Sequence, residues 1–252
     1  MYKKHITNLA IKNKQDMYNP FDLAKKTEHI VVQGKMKKYY RFRPTKFYGG
    51  IATADTVGCN LRCAFCWSNN SVWNAQNTGT LYSPENVAER ILSIATKKGY
   101  HQVRISGGEP TIGRQHLLTL LENIPTNTVF ILETNGLLLG ADTTYVEALS
   151  KFSHLHVRVC LKGCTSEEFS WLTGAKNGYE YQLKALENLR DHYMKFTIAL
   201  VTTKPDKQEL MNKLMEMKLG NIMIEEEEII LYPKVRKRLE QKGILHHFND
   251  KD

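Results

Sequence analysis

From Gly49 onward, two hydrophobic periods alternate along the chain. Short β-branched runs with side chains repeating every second residue predict strands at Gly50–Thr56, Gln102–Ser106, Thr128–Glu133, Leu155–Leu161, Phe196–Thr202 and Asn221–Ile229. Stretches with apolar residues three and four apart predict helices at Pro84–Lys98, Gly113–Asn123, Thr143–Lys151, Glu180–His192 and Asp206–Lys218. Strands that alternate with helices call for βαβ units and a parallel sheet, hence an α/β fold. In such a sheet, functional side chains gather at the strands' C-terminal ends.

Residues 1–48 read as an N-terminal extension packed on that unit: a polar start, a short helix at Pro20–His29 and a strand at Ile30-Val-Val-Gln. The extension ends in Lys35-Met-Lys-Lys-Tyr-Tyr-Arg-Phe-Arg-Pro-Thr-Lys-Phe-Tyr48, where basic and aromatic residues interleave. Alternation makes this an amphipathic strand with Lys and Arg outward and Tyr and Phe inward, while the same composition suits phosphate contacts and base stacking. Residues 49–232 form the core unit, and 233–252 a basic helix closed by Gly243 with a loose tail from His246.

Composition narrows the classes. A chain of 252 residues, 42% hydrophobic, suffices for one sizeable core. No apolar run approaches the roughly 20 residues that span a bilayer, and Met1-Tyr-Lys-Lys-His-Ile6 lacks a signal peptide's apolar segment, so a cytoplasmic protein without membrane contact is expected. The net charge of +9 favours acidic partners: nucleic acid, an acidic protein substrate, or an electron donor of flavodoxin or ferredoxin type. A solvated basic surface has the same charge. Five cysteines, three of them tightly spaced, suit a reducing compartment and a metal site better than disulfides.

Those three are Cys59-Asn-Leu-Arg-Cys63-Ala-Phe-Cys66, just past the first core strand. A structural zinc closes its shell with four protein ligands, so three thiolates leave one metal position open. Their spacing suits a four-iron cluster with its fourth iron free, and taken alone also fits a degenerate zinc knuckle or a piece of a ferredoxin motif. One helix later, Val103-Arg-Ile-Ser106-Gly107-Gly108-Glu109-Pro110 reads as a strand ending in a glycine pair, an acid and a helix-starting proline. Glycines permit close backbone approach to a ligand, and a carboxylate accepts from an ammonium.

C-x3-C-x2-C followed one βα unit later by Gly-Gly-Glu-Pro resembles the radical S-adenosylmethionine (SAM) superfamily. The resemblance implies a partial (β/α)6 TIM-like barrel and a [4Fe-4S] cluster on Cys59, Cys63 and Cys66, with SAM chelating the open iron. It implies an oxygen-sensitive enzyme that cleaves SAM reductively to a 5′-deoxyadenosyl radical, which abstracts hydrogen from a substrate. Phe65 would pack near the adenine, and Ser106, Gly107, Gly108 and Glu109 would meet the methionine amino group. Thr134 and Asn135 would face the ribose or carboxylate, although Asn135-Gly136 is also an ordinary turn pair.

Within Leu155–Leu161 and its continuation, alternation places Arg158, Cys160 and Lys162 on one face. Lys162 then points to the barrel mouth, a cation for SAM's carboxylate, and the Leu-Lys ending resembles glycyl-radical activating enzymes. Cys160 and Cys164 read as ordinary buried thiols, since two fall short of an auxiliary cluster. Phe169–Ala175 and Cys66–Trp73 are candidate covers or packed connections. In Glu225-Glu-Glu-Glu228, Glu225 and Glu227 share one face and Glu226 and Glu228 the other, and one pair should meet cations. The substrate stays open among a glycyl-radical partner protein, RNA or a nucleotide, and a small metabolite. Outside enzymology stand a zinc-stabilised nucleic-acid module and an electron-transfer protein.

Overall fold

The computed structural model describes residues 17–248; the polar start and the extreme C-terminus lie outside the described residues. Helix α1 (Pro20–Val31) starts where Asn19 caps the Phe21 amide and Pro20 sets the first turn. It absorbs Ile30 and Val31, leaving only Val32–Gln33 as β1, because Val31 is fully buried on the helix's inner side. Then come β2 (Met36–Thr45), β3 (Ile51–Thr56), α2 (Asn70–Trp73), β4 (Thr80–Tyr82), α3 (Pro84–Lys98), β5 (Gln102–Gly107), α4 (Arg114–Glu122) and β6 (Val129–Thr134). The chain continues as α5 (Leu137–Ala141), α6 (Thr143–Ser150), β7 (Leu155–Lys162), α7 (Ser166–Thr173), α8 (Tyr179–Asp191), β8 (Lys195–Val201), α9 (Gln208–Glu216), β9 (Ile224–Glu226) and α10 (Pro233–Gln241).

One sheet contains all nine strands. β3, β5, β6, β7, β8 and β9 lie side by side and parallel in chain order, the partial barrel expected from the sequence. β2 pairs antiparallel with the outer edge of β3, and β1 and β4 pair with β2. β9 is shorter than the predicted Asn221–Ile229, since it pairs with β8 over only Ile224–Glu226. The segment Phe169–Ala175 lies mostly in α7, with Phe169 and Leu172 fully buried, and is a packed connection.

Strand alternation separates two chemistries. Ala52, Ala54, Val103, Ile105, Phe130, Leu132, Val157, Val159, Ile198 and Leu200 point to the helices and are buried. The inner face carries Asp55, Arg104, Ser106, Glu133, Arg158, Cys160 and Lys162, and buried charge there is paired. Arg104 Nη1 lies 2.9 Å from Glu133 Oε1, and Arg158 contacts Glu225 and Glu227 at 2.8 Å each. Glu225 and Glu227 thus share Arg158 on the inner face, while Glu226, on the other, meets Lys207 at 2.7 Å.

The basic, aromatic segment forms β2, but not with every cation outward. Lys37 is fully buried beside Tyr39, and its Nζ donates to the carbonyls of Glu109, Pro110 and Ile112 at 3.0, 2.8 and 2.5 Å. The loop after β5 bares three carbonyls to the interior, and one ammonium satisfies them all. Burial pulls its pKa down to about 7. The three acceptors oppose this by favouring the charged form, because a neutral amine has only two N–H to donate. Lys37→Met leaves those carbonyls unpaired and is expected to cost about 3 kcal/mol, lowering the melting temperature by roughly 6–12 °C. A shift under about 2 °C would remove this structural role.

Candidate active site

The cysteine loop leaves the top of β3 and is gripped from three sides. Gly58, at φ +87°, lies so close to α1 that an added Cβ would sit 2.5 Å from the Thr27 methyl. Thr27 Oγ1 donates to the Cys59 carbonyl at 3.4 Å, and the Tyr18 hydroxyl accepts from the Arg62 amide at 2.7 Å while donating to the Thr173 carbonyl. α7 accepts the Ala64 amide at the Leu172 carbonyl, 2.9 Å away. From α10, Arg238 donates to the carbonyls of Ala64 (3.0 Å) and Cys66 and to Asn69 Oδ1 (3.1 Å), with its guanidinium 4.6 Å over the Trp73 ring.

All five cysteines are free thiols. Burial pushes Cys63 up to about 12, and Cys59 and Cys66 also rise through burial. Burial outweighs the nearby Lys162, Lys242 and Arg238, so these groups stay protonated until a bound metal supplies further positive charge. At Cys59 two N–H groups offset part of that cost: the Leu61 amide donates to its Sγ at 3.3 Å and Asn135 Nδ2 lies 3.9 Å away. Next to it, Asn60 Nδ2 is buried without a partner among the described residues. Among those residues no three His, Cys, Asp or Glu side chains are gathered to hold a single metal ion. A cube that gives each thiolate its own iron does not need that tight set.

The end of β5 lies directly on this loop. Gly108 admits no side chain, since an added Cβ would stand 2.1 Å from the Gly58 carbonyl oxygen. The Gly108 amide donates to Thr56 O at 2.9 Å and the Glu109 amide to Gly58 O at 2.7 Å. Ser68 Oγ donates to Gly107 O at 2.7 Å, and Ser106 Oγ to Glu133 Oε2 at 2.7 Å.

Glu109 departs from the expectation of an ammonium acceptor. Its carboxylate is buried and takes the Thr111 amide (3.0 Å), Thr111 Oγ1 (2.6 Å), Thr134 Oγ1 (2.6 Å) and the Asn135 amide (2.8 Å). Four protein donors occupy it, so it braces the tops of β5 and β6. Thr134 likewise donates its hydroxyl to Glu109 and accepts the Gly136 amide. Asn135 is the member of that turn beside the cysteines, with its Nδ2 2.7 Å from Asn60 Oδ1.

Lys162 arrives where alternation puts it, at the strand top. Its Nζ stands 5.4 Å over the Phe65 ring and 3.7 Å from Glu227 Oε2, and against desolvation the Glu227 carboxylate holds it charged. Cys160 lies near Arg158 Nη1 at 3.9 Å on the same face, whereas Cys164 is buried in the core against Thr202 Oγ1, so the two are not gathered into a second metal set.

The basic, aromatic segment also contributes two arginines whose shared partner the sequence did not show. Arg41 and Arg43 of β2 both reach the buried Asp55 carboxylate, at 2.7 and 2.8 Å. Exposed Trp67, next to Cys66, lies 5.5 Å from the Arg41 guanidinium and 6.0 Å from that of Arg43. Two arginines share one acid, which leaves an excess positive charge beside a flat aromatic ring, next to the loop that holds Gly107. The i, i+2 spacing of Arg41 and Arg43 in a strand was the available signal. Tyr18, Thr27 and Arg238 gave none, being far from the cysteines in sequence.

A family model described as the Radical SAM superfamily matches residues 54–217. Among curated relatives, the probable GTP 3',8-cyclase of Thermococcus kodakarensis is 32% identical over 133 residues, 52% of this chain and 40% of that protein. The GTP 3',8-cyclase of Clostridium perfringens is 33% identical over 141 residues, 53% of this chain and 41% of that protein. The matches span less than half the length of these relatives. Among solved structures, Streptococcus suis SuiB bound to S-adenosylmethionine superposes at TM-score 0.53 and 22% identity, over 79% of this chain and 44% of that one. TYW1 with a lysine-pyruvate adduct gives TM-score 0.50 and 17% identity, over 79% and 74%. Likeness at these identities is one of fold.

Proposed function

We propose that this chain, which belongs to the radical SAM superfamily, directs its radical chemistry at a nucleotide-class substrate. Enzymes of the superfamily carry a [4Fe-4S] cluster and SAM, which on reduction supply methionine and a 5′-deoxyadenosyl radical. The residues present fit that pair: one buried and two partly buried thiols with N–H groups turned to Cys59, an Asn60 Nδ2 without a partner among the described residues beside it, and a glycine backbone laid on the same loop. In this reading Cys59, Cys63 and Cys66 hold the iron. Ser106, Gly107 and Gly108 offer backbone to the methionine end, Asn135 a polar side chain, Phe65 an aromatic face and Lys162 a cation. Glu109 and Thr134 keep the floor rigid. In this reading the enzyme works in a reducing, cytoplasmic compartment, which suits thiols that must stay reduced to bind iron.

The observation that carries the substrate class is the Arg41–Asp55–Arg43 group under Trp67. Guanidinium forks match phosphate oxygens, and an exposed indole stacks on a base. Relatives named for a reaction of GTP support the same class, while the short overlap leaves cyclisation itself uncarried. Lys162, the residue behind the glycyl-radical partner reading, is engaged by Glu227 and Phe65 and gives that partner no support of its own.

The test uses anaerobically reconstituted protein, dithionite and SAM, with 5′-deoxyadenosine formation measured against each ribonucleoside triphosphate and against tRNA. A nucleotide is expected to raise the rate about tenfold or more, and Arg41→Ala/Arg43→Ala to abolish that stimulation while sparing uncoupled cleavage. Indifference to every nucleotide and to tRNA would sink the substrate assignment and leave the radical chemistry standing.

A further inference from the structure

Each reductive cleavage consumes one electron of low potential, which a second protein must deliver close to the cysteine loop. Helix α10 covers that loop from outside. Its inner side buries Val235 and Leu239, and Arg238 donates directly to the carbonyl of Cys66. Its outer side exposes Lys234, Arg236 and Lys237, none of which makes an ion pair among the described residues. Over Pro233–Lys242 the sequence places five cations against a single acid, Glu240. A positive, unpaired surface thus sits one side chain away from a residue read as a cluster ligand.

We propose that the outward face of α10 docks an acidic one-electron carrier protein of the flavodoxin class. The inference rests on the cluster reading above. The reduced carrier's flavin passes from anionic hydroquinone to neutral semiquinone, giving one electron to the oxidised cluster, and no proton moves. Lys234, Arg236 and Lys237 steer the encounter through charge, which raises association rates by roughly 10- to 1000-fold at low salt and fades as salt screens it. Arg238 faces inward and positions the loop, so that the carrier docks over a fixed Cys66 segment.

The test compares wild type with Lys234→Glu/Arg236→Glu/Lys237→Glu, both reconstituted, using flavodoxin hydroquinone as the probe in anaerobic stopped flow. The wild-type reduction rate is expected to fall steeply with ionic strength. At low salt the variant should be reduced at least about tenfold more slowly, with a flat salt dependence. Dithionite, a small inorganic reductant, should drive 5′-deoxyadenosine formation equally in both. Equal rates with flavodoxin overturn the proposal. Loss of the dithionite reaction in the variant also overturns it, since the face would then serve the fold. Calorimetric binding of oxidised flavodoxin to the iron-free proteins reads the surface without the cluster: binding lost only in the variant supports docking even if the cluster reading fails. Displacement of flavodoxin by tRNA at lower concentration would assign the face to nucleic acid and refute the carrier.

Discussion

Cys63→Ala is expected to yield a colourless protein with no detectable reductive cleavage of SAM, a loss of about a thousandfold or more. Two thiols remain, but a cube held at two corners lacks the third bond that fixes its open iron towards the substrate side. The fold should survive, because removing one small buried sulfur costs only about 1 kcal/mol of burial. Iron and sulfide counts, the EPR signal after reduction and chromatography of 5′-deoxyadenosine check the first part, and circular dichroism the second. Cleavage retained in this variant would refute the assignment of the loop as the cluster site. The wild type takes up iron against thiols that burial raises, Cys63 to about 12, so assembly should release protons and weaken as pH falls.

The second large effect separates two roles for one carboxylate. If Glu109 met the ammonium of SAM, its removal would weaken SAM binding and leave the protein without SAM as stable as before. The geometry assigns it instead to four protein donors across the tops of two strands. Glu109→Ala therefore orphans buried N–H and O–H groups and should cost about 3–5 kcal/mol, a fall in melting temperature of roughly 6–20 °C in the cluster-free protein. Glu109→Gln keeps an oxygen for three of the donors but turns an amide against the fourth, and should lose about 1–3 kcal/mol. SAM affinity falls in both as a consequence of a loosened Asn135 turn. A cluster-free Glu109→Ala protein that melts with the wild type would overturn the brace.

Much of this was legible along the chain. α3 runs over Pro84–Lys98 as its pattern predicts, because Ser83, Pro84 and Gly99 mark both ends locally. The six parallel strands follow from runs too short and too β-branched for helix. Cys59, Cys63 and Cys66 stand out as candidate ligands because they lie within eight residues. Lys162 was placed by strand alternation, which also sorted the four glutamates into two faces, while the structure alone shows Glu225 and Glu227 sharing Arg158.

Where the fold departs from the local pattern, one cause recurs. Ile30-Val31 has strand propensity, but Val31 is claimed by the packing of α1 against Gly58. Lys37 breaks the outward rule for lysine because a loop 72 residues away bares three carbonyls to it. The charge of Glu109 is visible in the sequence, whereas its partners at Thr134 and Asn135 appear only once β5 and β6 are adjacent. The segment from His246 was expected to be loose, and as far as Phe248 it packs, with Phe248 against Phe65 and His247 against Trp171.

The sequence by itself therefore determined the α/β class, the order of the elements, the three thiols and the family, since each depends on spacing within a few residues or on a periodicity of one element. Only the tertiary structure decided that Glu109 braces, that Lys37 is interior, that Arg41 and Arg43 share Asp55, and that α10 closes over Cys66. A side chain's role in those cases is set by which donors, acceptors and charges the fold brings within hydrogen-bonding distance. Sequence separation does not record that distance.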